Sequence, residues 1–222
     1  MTAIQHCQTA VMPKACPKKD KPSRRVAIHE AGHALAYWWN GQGIYNATAR
    51  TKAEMRAGPY ITRRGCERGD LEGIVEAADF IAAPSLALEY GNGMDGELLV
   101  ELVARDLLHC AAGPVAEAIH RRASLEDVLW AGGISDLQKA GELLELLPDD
   151  QRAEADRQAI TRCRELVRRY WPAVLALADL LQERGHVEGE DVEALLCAVT
   201  GESPSWRDNP LADLDKRGAR HA

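Results

Sequence analysis

The hydrophobic pattern splits this chain into a front part of changing periods and a rear part of regular helices. Between Val26 and Trp39 nearly every position is apolar, and the only ionisable side chains short of the tyrosine are His29, Glu30 and His33. At 100° per residue, Ala27, Ile28, Ala31, Ala34, Leu35, Trp38 and Trp39 take one side. His29, Glu30 and His33 share a narrow sector with Val26 and Tyr37. A helix that is apolar nearly all round belongs inside a core. We place it over Arg24–Trp39, with Ser23 as N-cap and Asn40-Gly41 as its stop. From Gly41 to about Ile74 the pattern changes to turns and short runs, and Ile44–Ala49 and Tyr60–Thr62 read as strands of a small sheet. Residues 75–96, with Pro84 and the Gly91–Gly96 loop, read as a flap or an insertion. Leu98, Leu102, Leu108, Ala112, Val115 and Ile119 then recur at helical spacing, which predicts a long helix from about Glu97 to Arg122, kinked at Pro114. A Gly-rich loop, Trp130–Ser135, leads into a helix over Asp136–Leu147. Further helices follow over Asp149 or Asp150 to about Tyr170, over Pro172–Arg184, and after Glu188–Asp191. The expected fold is mainly α with a small β-sheet: a flexible arm over 1–22, one domain over 23–200, and a flexible tail over 201–222.

Composition narrows the function classes. The 222 residues suffice for one sizeable core. The net charge of −7 gives no basic excess for nucleic acid. No apolar run approaches the ~18 residues of a membrane span, and Met1–Lys21 is polar and Lys-rich, without the apolar stretch of a signal peptide. The six cysteines are scattered, with no C-x-x-C pair, and read as reduced thiols of a cytoplasmic protein. The chain has no G-x-x-x-x-G-K-[ST] phosphate loop.

The three ionisable residues inside the first helix carry the chemistry. His29-Glu30-Ala31-Gly32-His33 is an HExxH motif. Its histidines lie one turn apart on one face and can bind one Zn²⁺, and the glutamate beside the first can take a proton from water. Burying three such groups is costly unless something pairs with them, and a metal is the simplest partner. The alternative is a chance match with solvated histidines on a surface helix, which the apolar flanks disfavour. A catalytic zinc site needs a third protein ligand. His109, His120, Glu117, Asp127 and Asp136 are all candidates, and spacing does not choose among them. Asp136 opens a helix after a Gly-rich loop, where it could equally serve as a cap.

Four segments resemble the zinc peptidase domain of the FtsH-type AAA proteases. They are Val26–Leu35 around HEAGH, Ala111-Ala-Gly-Pro-Val-Ala-Glu117, Gly133-Ile-Ser-Asp-Leu-Gln-Lys-Ala140, and Leu180–Ala194. They occur in the family's order over about residues 24–196. The resemblance implies zinc held by His29, His33 and Asp136, with Glu30 as base and Glu117 orienting a ligand histidine. It sets Gly58–Thr62 where the family has an edge strand that pairs with substrate backbone. The implied activity is zinc-dependent metalloendopeptidase action on unfolded or extended polypeptides. Two His and a carboxylate suit zinc, although a non-haem iron centre uses the same set at other spacings and needs no Glu30. The chain departs from the family in several places. It shows no AAA module or membrane anchor, so a separate ATPase partner is conceivable, as is an oligomer. Pro114-Val115 replaces the family's Arg and small residue. The 136 − 33 = 103 positions from His33 to Asp136 are more than the family uses, so the region near 75–96 looks inserted. Two other readings stay open: a regulatory protease for one specific partner, and a non-catalytic binding module on a peptidase fold.

Overall fold

The computed structural model describes residues 20–69, 71–90 and 96–203. The arm up to residue 19, the loop over 91–95 and the tail from residue 204 lie outside the described residues. The protein is mainly helical with a small antiparallel sheet. The elements are α1 (Arg24–Trp39), β1 (Ile44–Ala49), α2 (Lys52–Ala57), β2 (Tyr60–Ile61), β3 (Glu67–Arg68), β4 (Gly73–Ala77), α3 (Pro84–Tyr90), α4 (Gly96–Arg121), α5 (Leu125–Ala131), α6 (Ile134–Glu145), α7 (Asp149–Arg169), α8 (Trp171–Arg184), β5 (His186–Glu188) and α9 (Gly189–Thr200).

α1 is the hub, packing on α4, α8 and β1. Its apolar circumference explains this: Ile28, Leu35 and Trp38 are fully buried among Leu177, Leu181 and Leu196, each contributing about 2 kcal/mol by removal from water. α1 and α4 approach closely because the crossing is lined by small residues. A Cβ on Gly32 would lie 2.4 Å from the Ala112 carbonyl oxygen and 2.7 Å from the Ala116 methyl. Ser23 sits at the N-cap position but its side chain accepts no capping hydrogen bond, whereas the chain leaves the helix at Asn40 and Gly41 as the sequence predicts.

β1 is the centre of a three-stranded sheet of order β4-β1-β5, antiparallel throughout, with Ala47 opposite both Val75 and Val187. The Tyr60–Ile61 strand does not join it. It pairs with Glu67–Arg68 in a separate two-stranded ribbon. The edge strand of the main sheet beside the HExxH helix is therefore β4. A second core under α4 gathers Phe80, Ile81, Leu102, Val103, Leu107, Leu143 and Leu147. Phe80 and Ile81 thus anchor the start of the 75–96 region, and Pro84 opens a short helix there, at the position where proline suits a first turn.

Candidate metal centre

His29 and His33 project from α1 between α4 and α6, and each has one ring nitrogen fixed by a neighbour. His33 Nδ1 donates to the backbone carbonyl of His109 in α4 at 2.8 Å. His29 Nδ1 donates to Glu117 Oε2 at 3.2 Å. An acceptor on each Nδ1 assigns the proton there and turns both Nε2 atoms toward a shared point. The two Nε2 atoms are 3.0 Å apart. Asp136, in the first turn of α6, completes the triangle: Oδ2 lies 3.2 Å from His29 Nε2 and Oδ1 3.5 Å from His33 Nε2. Donors bound tetrahedrally at zinc's usual ~2.0–2.1 Å stand about 3.3 Å from one another. The donor set and its spacing therefore fit Zn²⁺. Space fits too: a Cβ on Gly113 of α4 would fall 2.2 Å from His33 Nε2, so only glycine leaves this ring its place.

Burial and charge oppose one another at these donors. Burial opposes a charged His29, but hydrogen bonds to Asp136 and Glu117 and the Glu30 charge outweigh it and raise its pKa to about 10. Burial opposes ionisation of Asp136 as well, yet His33 and His29 hold its carboxyl well below the usual range. A proton on His29 thus supplies the positive charge. Glu117 is almost fully buried. Desolvation is overcome by His29, by Arg121 at 2.7 Å and by Arg25 at 3.4 Å, and its pKa is lowered. The structure places Glu117, the residue the resemblance sets behind a ligand histidine, against His29 Nδ1.

Glu30 lies beside the triangle, buried, and desolvation raises its pKa against the opposing pull of His29 and His33. A carboxyl tuned upward in this way suits a group that must both accept and return a proton. Gly73, the first residue of β4, stands directly against it, since a Cβ there would be 2.6 Å from Glu30 Oε1. β4 therefore starts at the candidate base.

The other candidates fall elsewhere. Asp127 caps α5 with Ser124, whose hydroxyl donates to its carboxylate at 2.7 Å. His120 is exposed at the end of α4. His109 is buried and turns away from the triangle, serving it only through its carbonyl. Trp38 is core, and Trp39 lies against Tyr170, away from the site. Sequence reasoning missed a second polar cluster behind the centre. Asp106, completely buried, accepts the backbone N–H groups of Phe80 and Ile81 at 3.1 and 2.7 Å. Asp79 accepts from Tyr37 Oη at 2.7 Å and Lys139 Nζ at 2.7 Å. The one available signal was a charged Asp106 inside the apolar stripe of α4.

Compared with models of known protein families and with curated proteins, the chain matches none of either.

Proposed function

We propose that the chain is a zinc-dependent metalloendopeptidase of the FtsH peptidase type, acting on unfolded or extended polypeptides in the cytoplasm. The observation that carries this reading is the convergence of His29 Nε2, His33 Nε2 and the Asp136 carboxylate at tetrahedral spacing, with Glu30 alongside. His29, His33 and Asp136 would hold Zn²⁺, which would supply Lewis acidity to the site when bound. Glu30 takes the proton of the attacking water and returns it to the leaving amine. Glu117 and the His109 carbonyl hold the two rings so that their Nε2 lone pairs face the same point. An extended substrate added to the edge of β4 that, among the described residues, pairs with no strand would pass near Glu30 at Gly73, which favours strand-like chains over folded ones. The described residues contain no helix long and apolar enough to cross a membrane. Their cysteines are all free thiols, in keeping with a reducing compartment.

The test is cleavage of an unstructured polypeptide by zinc-reconstituted protein, with products mapped by mass spectrometry, against Glu30→Gln. Cleavage by wild type and its loss in a variant that still holds zinc supports the peptidase. Zinc binding with no cleavage by wild type across a broad set of unstructured chains removes general proteolysis and leaves a binding module or a single-partner protease.

A further inference from the structure

We propose that Asp79 is a positioning residue of the metal centre: it ties α6, and with it Asp136, to α1. The inference rests on the metal-site reading above and goes beyond the ligands themselves. α6 is thinly held for an element that supplies a ligand. Its N-cap is Gly133, which offers no side-chain cap, and Leu143 is its one buried residue. Ile134 and Leu137, on either side of Asp136, are about half exposed. α6 packs chiefly on α4 rather than on the helix that carries the histidines. The place of Asp136 relative to His29 and His33 therefore needs another tie.

Asp79 provides it. Its Oδ1 accepts from Tyr37 Oη, one turn beyond His33 on α1, and from Lys139 Nζ, one turn beyond Asp136 on α6, both at 2.7 Å. One carboxylate oxygen thus bridges the two ligand-bearing helices at matching heights. Asp79 is itself fixed, because the next two residues, Phe80 and Ile81, are buried and give their backbone N–H groups to Asp106. Asp106 in turn faces His109 Nδ1 at 3.1 Å. The Asn40 amide donates to both the Arg105 carbonyl (3.2 Å) and His109 Nε2 (2.8 Å), which leaves the ring's Nδ1 facing the carboxylates. The same His109 accepts from His33 through its carbonyl. The network therefore reaches the centre at two corners, Asp136 and His33.

Asp79, Asp106 and His109 also bring three donor atoms within 4.8 Å of one another. That group is not a second cation site: the Lys139 ammonium and the Tyr37 hydroxyl already occupy Asp79, and two backbone N–H groups occupy Asp106.

The experiment measures Zn²⁺ affinity by chelator competition, the visible spectrum of the Co²⁺ form, and melting of the metal-free protein. It compares wild type, Asp79→Asn, Lys139→Met, Lys139→Arg and a distant ion-pair control, Arg24→Met, which frees Asp179. Asp79→Asn and Lys139→Met are expected to bind zinc ten- to a hundred-fold more weakly and to alter the Co²⁺ bands, with Lys139→Arg largely restoring both. Arg24→Met lowers the melting temperature and leaves affinity unchanged. Lys139 is one-third exposed, so its variant folds even if Asp79→Asn does not. Wild-type affinity in both Asp79→Asn and Lys139→Met, or an equal loss in Arg24→Met, overturns the positioning role. A wild type that binds neither ion overturns the metal centre itself, a result distinct from the first.

Discussion

Adding one methyl group at Gly113 separates metal binding from folding. The Cβ of Gly113→Ala would fall 2.2 Å from His33 Nε2, 2.6 Å from Cδ2 and 2.7 Å from Cε1. Real Cβ contacts do not come below 3.0 Å, so the ring must retreat by at least 3.0 − 2.2 = 0.8 Å. The ring is held from behind by the 2.8 Å bond from Nδ1 to the His109 carbonyl, so the retreat breaks that bond or tilts Nε2 off its axis. A metal ligand tolerates about 0.2 Å of displacement. His33 is then lost as a ligand, and a two-ligand site should bind zinc at least about 100-fold more weakly, or about 2.7 kcal/mol. In the metal-free protein the terms partly offset. Alanine gains about 1 kcal/mol over glycine inside a helix, against about 1–3 kcal/mol for overpacking and about 1 kcal/mol for the weakened bond to the His109 carbonyl, a net loss of about 1–3 kcal/mol. Chelator competition reads the first quantity and denaturant unfolding of the metal-free protein the second. Zinc affinity in Gly113→Ala within two-fold of wild type would refute the placement of His33 Nε2 at the metal.

Glu117→Gln weakens the hydrogen bond that fixes His29 and should lower zinc affinity ten- to a hundred-fold, as chelator competition can measure. The pH dependence of the metal-free protein has a definite sign. His29 is raised from 6.5 to about 10 by its carboxylate partners against burial, so its stabilisation is complete below pH 6.5 and is lost as pH rises through 10. Melting temperatures of the metal-free protein should fall across that window, and His29→Gln should flatten the fall. Burial pushes the Cys110 and Cys163 thiols up to about 12, whereas Cys66 is exposed. Alkylation followed by peptide mapping should therefore modify Cys66 in the native protein and reach Cys110 and Cys163 only on unfolding.

What was legible in the sequence is what local spacing decides. α1 occupies the predicted Arg24–Trp39, because an all-round apolar run leaves a core helix as its only low-cost state. His29, Glu30 and His33 converge because one helical turn brings them together. Asp136 was different. Local reasoning left five candidates, and the resemblance alone favoured the one that the fold brings to the histidines, 3.2 Å from His29 Nε2. The partition of 123–135 was also hidden. Ser124 and Asp127 form a cap for α5, a helix of seven residues whose one buried side chain is Val128, too little periodicity to stand out. β4 and β5 escaped because five- and three-residue strands exist only by pairing with β1, and strand preference depends on that context. The Tyr37–Asp79–Lys139 bridge joins two helices to a connecting segment far from either in the chain and leaves no local mark.

The most direct test of the account is the metal content of the purified protein, by elemental mass spectrometry, for wild type beside Asp136→Ala. The account predicts about one zinc per chain in wild type, as a single site requires, and loss or weakening of that zinc in the variant. A wild type that holds no zinc after reconstitution would contradict it.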